Sequence, residues 1–172
     1  DLLPNQNHEF LEGDVPYTLN PGGPNHEELS CLIGVYEYFN NLFEHHFPGQ
    51  EGSVREKIVA VNELIAHHEM EIANPLLDYI NSRDDINLIG KNQISNKDRA
   101  PTIAFTMNNK SSKELSSNLV KHGIATRNDN FYAWRCLKAL GIDVDDGVVR
   151  TSMVHYNTHE DVDNLISALK KI

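Results

Sequence analysis

The sequence predicts an α+β fold in which helices pack on a small, mostly antiparallel sheet. Three observations support this prediction. The second half of the 172 residues alternates short β-branched runs with helical segments. From about Ile86 these segments follow the order β-β-α-β-α-β-α, which is typical of a compact layer of helices on a sheet. A long amphipathic helical pattern precedes them and predicts a helix that connects this layer to a larger body.

The residues before Asn25 are rich in proline, glycine and asparagine, so we expect a loop there with at most a short strand. Asn25 and Glu28 have the spacing of a capping box and predict the start of a first helix, which ends at Pro48 and Gly49. Its apolar stripe consists of Leu29, Leu32, Ile33, Tyr36 and Phe43.

Ser53 and Glu56 repeat the capping signature and predict a long helix through Ile80. Pro75 lies inside this pattern, which predicts a kink or a restart of the helix.

Strands and helices then alternate to the end of the chain. The predicted strands are residues 86–90, 102–107, 124–126 and 147–153. Ser111 and Glu114 start a helix that Gly123 stops, and a helix over 132–140 stops at Gly141. Thr158, after Asn157, opens the last amphipathic helix.

Two arginines are placed to act together. Arg127 follows the predicted strand 124–126, and Arg150 lies in the predicted strand 147–153. On neighbouring strands, both guanidinium groups would reach the same end of the sheet and could hold an α-carboxylate. Two other interpretations stay open: Arg150 lies on a solvated sheet face, or each arginine forms a surface ion pair contributing about 0–1 kcal/mol.

The loop 21–25, with Gly22 and Gly23, precedes the first helix at Asn25. Its glycine amides and the helix N-terminus could cradle a phosphate. The same residues are also ordinary turn formers, so this pattern alone does not decide between the two.

The amino-acid composition limits the classes of binding partner. A net charge of −10 disfavours nucleic acid and anionic membranes, and we expect no membrane-spanning segment. The two cysteines, Cys31 and Cys136, form no CxxC pair and fit free thiols in the cytoplasm. We also expect no metal site, because the His67-His68 and His45-His46 pairs diverge on a helix and Ile72 occupies the position where a zinc-protease motif needs histidine.

Two segments, GIATRNDNFYAWRCLKALG and GVVRTSMVHYNTHEDVDNLISAL, resemble the C-terminal domain of class V aminotransferase-fold enzymes. The likeness is to their cysteine desulfurase-like branch, which includes cysteine desulfurases and selenocysteine lyases. PGGPNHEELSCLIG is similar to the loop and helix of many relatives, so the resemblance runs from about Pro21 to the C-terminus.

The resemblance implies a homodimeric, pyridoxal-phosphate-dependent transferase or lyase that acts on a small amino acid. Arg150 would receive the substrate carboxylate and Arg127 would line the same entrance. Gly22, Gly23 and Asn25 would lie near the cofactor phosphate of the neighbouring subunit. The α+β layer would then belong to an α/β parent enzyme.

The sequence differs from the family pattern at three points. Gly23 replaces a threonine that many relatives carry before Pro24. Tyr132 occupies the position of the desulfurase cysteine, so the persulfide-forming nucleophile is missing at that position. The lysine that forms a Schiff base with the cofactor is expected upstream of Asp1, so we predict that the chain alone is inactive.

We therefore expect residues 1–50 to be a C-terminal remnant of the large cofactor-binding domain, 51–85 a connector helix and 86–172 a small C-terminal domain. The missing N-terminal large domain and a second subunit would be its partners. The alternative is a non-catalytic amino-acid-binding or regulatory α+β module.

Overall fold

The computed structural model describes residues 4, 8–11, 13, 22–93 and 99–172. Pro21, part of the predicted phosphate loop, and residues 94–98 of the loop after the first strand lie outside the described residues. The chain divides into two compact units, Asp1–Val61 and Asn62–Ile172. The domain limits expected from the sequence, at residues 50 and 85, stay predictions.

The first unit contains a 3-10 helix at Glu9–Leu11, helix α1 (His26–His46) and the start of helix α2 (Val54–Asn81). The predicted cap of α1 is present, because the Asn25 side chain accepts a hydrogen bond from the Glu28 backbone N–H. Phe43 is buried, but the rest of the apolar stripe is exposed by 42–64%: Leu29, Leu32, Ile33 and Tyr36. Helix α1 therefore carries an apolar face that the described residues do not cover.

Helix α2 is 28 residues long and starts where the sequence predicts. Ser53 donates its backbone N–H to the Glu56 carboxylate at 2.8 Å, and hydrogen bonds from the Ser53 backbone and hydroxyl lower the pKa of Glu56. Pro75 lies within the helix, which continues to Asn81 without a restart. None of the helices in the described ranges is long and apolar enough to cross a membrane.

The second unit is built on a four-stranded antiparallel sheet with strand order β1-β2-β4-β3. The strands are β1 (Ile86–Ile89), β2 (Thr102–Met107), β3 (Arg127–Asp129) and β4 (Val148–Ser152). Three helices are inserted between or after them: α3 (Ser112–Lys121), α4 (Trp134–Ala139) and α5 (His159–Leu169). The α+β architecture predicted from the sequence is confirmed.

The core lies on one face of this sheet. Phe105 opposite Val149, and Ile103 opposite Thr151, are buried on that face. The core cluster joins these strands to buried residues of the helices, chiefly Ile72, Leu76, Leu77, Ile80, Leu115, Leu119, Leu165 and Leu169. Alternation along β4 therefore directs Arg150 to the opposite face, away from the core.

The third strand differs from its prediction. Residues 124–126 are not a strand, and pairing with β4 begins at Arg127. The segment before Arg127 is held by α3 instead: Ile124 donates its N–H to the Leu119 carbonyl, and the Thr126 and Ser116 hydroxyls are 2.9 Å apart. These bonds keep the chain beside the helix until Arg127.

The following helix is also shorter than predicted. Phe131 and Tyr132 have φ values of 52° and 60°, in the left-handed region, so a right-handed helix cannot include them. Helix α4 therefore starts at Trp134.

Helix α5 has the predicted cap. The Thr158 side chain accepts from the Asp161 N–H, and the Asp161 carboxylate accepts from the Thr158 N–H at 2.8 Å. This is a complete capping box.

Candidate functional site

The structure places Arg127 and Arg150 directly opposite each other on adjacent strands, in antiparallel register. The sequence predicted that Arg127 follows its strand, and this is wrong, because Arg127 is the first residue of β3. Opposed residues on antiparallel strands have Cβ atoms about 4.5–5.5 Å apart and point to the same face. The two arginine side chains therefore leave the sheet on the same face, from opposed positions.

The two arginine side chains lie on the sheet face opposite the hydrophobic core. Arg150 is also opposite Ala104 of β2, so the row Ala104, Arg150, Arg127 crosses three strands. Arg127 is exposed and Arg150 is half-buried.

Neither arginine is neutralised within the described part of the chain, where the ion pairs join other residues. The Nε atom of Arg150 is buried and has no hydrogen-bond partner among the described residues. Like charges directly opposite each other on a sheet are destabilising, and a buried donor without a partner is rare in folded proteins. An anion held between the two guanidinium groups would relieve their repulsion, which makes this face the candidate site.

An aromatic ring completes the surroundings of Arg150. The Cζ atom of Arg150 lies 4.2 Å from the centroid of the Phe131 ring, within the range of a cation–π contact. The sequence analysis did not identify Phe131. Its neighbour Tyr132 is fully exposed.

Gly22, Gly23 and Asn25 belong to the first unit. A Cβ atom at either glycine would meet none of the described residues within 4 Å, so these residues leave a phosphate room to approach the backbone there. The Asn25 side-chain oxygen already accepts from Glu28, and the first turn of α1 carries Glu27 and Glu28. The residues thus fit a phosphate group through backbone N–H groups, and contribute no positive charge to it.

Other reactive side chains have ordinary surroundings. Cys31 and Cys136 are free and exposed. Across the described ranges, no group of three or more His, Cys, Asp or Glu side chains is arranged to hold a metal ion. Burial raises the pKa of Glu69, opposed by the nearby His155 and His68, but this carboxyl is not on the arginine face.

A cavity of about 520 Å³ opens between the chain after α3, the end of β4 and α5. Its polar lining includes Asn157 and Asp161, which hydrogen-bond each other and cap α5. Neither arginine lines this cavity. Asn157 and Asp161 already have partners, whereas neither arginine forms an ion pair in the described part of the chain, so the arginine face is the stronger candidate.

Comparison with known proteins agrees with the resemblance seen in the sequence. The profile of the family described as Aminotransferase class-V matches residues 59–165. The Aminotransferase-like protein FGM3 of Gibberella zeae is 36% identical over 113 residues, which cover 64% of this chain and 28% of that protein. A cysteine desulfurase of Escherichia coli O8 is 29% identical over 108 residues, covering 63% of this chain and 25% of the enzyme.

Among solved structures, the cysteine desulfurase CsdA from Escherichia coli superposes with a TM-score of 0.64 at 20% identity. The match covers 91% of this chain and 32% of that one, and it shows a shared fold. The chain therefore spans about a quarter to a third of the length of these relatives.

Proposed function

This chain belongs to the aminotransferase class-V family. On that premise we propose that it is the part of a pyridoxal-phosphate-dependent enzyme that binds the carboxylate of an amino-acid substrate. Arg150 is proposed to bind the α-carboxylate of the substrate, with Arg127 beside it. One observation carries the proposal: two arginines lie directly opposite each other on adjacent strands, and neither forms an ion pair within the described residues.

A carboxylate suits this pair for a physical reason. A guanidinium presents parallel N–H donors that match the two oxygens of a carboxylate, and such charge-assisted bonds are stronger than neutral ones. The second arginine adds positive potential at the entrance and would steer the same anion toward Arg150. Both arginines stand on strands, which hold their Cα positions rigidly.

When bound, pyridoxal phosphate would supply the electron sink for bond changes at the substrate's α-carbon. Backbone N–H groups at Gly22, Gly23 and Asn25 are proposed to contact the phosphate of the cofactor bound by the neighbouring subunit, which the open space around the glycines supports. These residues are not basic, so the positive charge for the phosphate and the lysine for covalent attachment would come from elsewhere in the protein. We accordingly predict that these 172 residues alone have no activity.

The proposed reaction at the α-carbon is β-elimination, desulfuration, epimerisation or transamination. Tyr132 offers no thiol at the tip of its turn, which disfavours persulfide formation at that position. The greater length of the relatives and the exposed apolar face of α1 support a covering partner, either the large domain or a second subunit of a homodimer. A cytoplasmic location stays a prediction.

The proposal is tested by titrating the ¹⁵N-labelled chain with L-alanine and following the arginine Nε–H resonances by NMR. L-alaninamide, which lacks the carboxylate, is the matched ligand. We expect L-alanine, but not the amide, to shift the Arg150 and Arg127 signals. Arg150→Gln should weaken L-alanine binding about tenfold to a hundredfold, because a charge-assisted contact contributes about 1.5–3 kcal/mol.

Arg83→Gln is the matched control variant, because its guanidinium already pairs with Asp85 at 2.6 Å. It should bind L-alanine like the wild type. Equal binding of the amide, or unchanged binding by Arg150→Gln, would exclude the carboxylate role of this pair.

A further inference from the structure

The Phe131 ring lies on the Arg150 guanidinium, 4.2 Å from Cζ to the ring centroid. An arginine side chain has many rotamers, and ordering it on binding normally reduces affinity. A ring stacked on the guanidinium restricts those rotamers before any ligand arrives. The Nε atom is buried in this arrangement, so the edge with the two terminal nitrogens is the one left for a ligand.

The ring is held in place by a constrained turn. Phe131 and Tyr132 are consecutive non-glycine residues with positive φ, an unfavourable conformation that persists only where its surroundings enforce it. Asn130 enforces it here. Its side-chain oxygen accepts from the Tyr132 N–H at 3.1 Å, and its side-chain nitrogen donates to the Val144 carbonyl at 3.2 Å.

The backbone closes the same turn. Ala133 donates its N–H to the Asn130 carbonyl at 2.8 Å. The turn also leaves Tyr132 fully exposed and Phe131 half-buried, so of the two rings only Phe131 is directed onto Arg150. The conformation thus selects which aromatic side chain contacts the arginine.

We propose that Phe131 is a positioning residue: its ring, set by the Asn130 turn, holds the Arg150 guanidinium with its terminal edge open to an incoming carboxylate. This inference rests on the proposed carboxylate role of Arg150. It assigns to Phe131 no contact with the substrate.

The test compares Phe131→Leu, which removes the ring, with Phe131→Tyr, which restores it, in the L-alanine titration. Loss of the cation–π contact should weaken binding about threefold to tenfold in Phe131→Leu. Phe131→Tyr should stay within about twofold of the wild type. Trp134→Leu is the matched control, because it removes a ring lying 5.3 Å from Lys138 Nζ, and it should not change binding.

A second readout needs no variant. In the ligand-free wild type, the ring current of Phe131 should move the Arg150 Nε–H proton upfield of the Arg127 signal. Absence of that shift overturns the proposal even if Phe131→Leu does not fold.

The proposal is also overturned if Phe131→Leu binds L-alanine like the wild type, or if Leu and Tyr weaken binding equally. Arg150→Gln distinguishes failure of the carboxylate role of Arg150 from failure of the positioning role of Phe131. If Arg150→Gln binds normally, the carboxylate role itself fails; if it loses binding while Phe131→Leu does not, only the positioning role fails.

Discussion

Replacing Gly147 by alanine should destabilise the second unit for two separable reasons. Gly147 has φ +74°, where an L-alanine is disfavoured by about 1–2 kcal/mol. A Cβ atom there would also lie 2.3 Å from the Asp129 carbonyl carbon and 2.7 Å from the Asn130 nitrogen. These are backbone atoms, so β3 and the turn after it must shift.

Gly141 allows the effect of the positive φ to be measured without steric overlap. Its φ is nearly the same, +73°, but none of the described residues lies within 4 Å of a Cβ built on it. Gly141→Ala should therefore lower the free energy of unfolding by about 1 kcal/mol, which is the cost of the positive φ less the gain from the lower entropy of the unfolded alanine chain. Gly147→Ala should lower it by about 1–3 kcal/mol more, the usual effect of overpacking.

The assay is urea unfolding of the 172-residue chain followed by far-UV circular dichroism, with the midpoint and slope compared for both variants. A free-energy difference between the two variants below about 0.5 kcal/mol would refute the reasoning, because the backbone overlap would then have no effect. A large difference would show that Gly147 fixes the backbone that carries the Phe131 turn.

Two further outcomes are expected from side chains that cap helices. Asp146→Ala should destabilise the chain by about 1–3 kcal/mol, because the Asp146 carboxylate accepts from the buried Ser112 N–H at 2.9 and 3.0 Å. The same urea-unfolding assay measures this loss. A loss no larger than that caused by Asp145→Ala, at an exposed position, would contradict the prediction. Hydrogen bonds from Thr158 and Asn157 lower the pKa of Asp161, so its contribution to stability is complete above the unfolded value of about 3.9 and disappears as pH falls through the lower folded value. Asp161→Asn should therefore differ most from the wild type near neutral pH and converge with it in acid, and a stability difference that is constant from pH 6 to pH 2 would rule out this role.

The helix starts were predictable because a cap is a local interaction. Asn25 with Glu28, Ser111 with Glu114 and Thr158 with Asp161 are three residues apart, and all three caps are present. The candidate arginines were also visible, as charges inside or next to β-branched runs.

The start of β3 and of α4 could not be predicted in the same way. Residues 124–126 have strand-like side chains, but hydrogen bonds to α3 hold them out of the sheet. Tyr132 is the first residue of the predicted helix, yet it and Phe131 have a left-handed backbone. In both places a contact with another part of the unit overrides the local preference.

The sequence by itself determined the α+β class, the capped helices and the family, because periodicity, caps and motifs are properties of neighbouring residues. The tertiary structure decided that Arg127 lies opposite Arg150 and that Phe131 covers the guanidinium. Strand register depends on how residues distant in the chain pack against the core, and a shift by one residue would turn Arg150 into that core. The candidate site is therefore set by the packing of β4 on the helices, which no local pattern encodes.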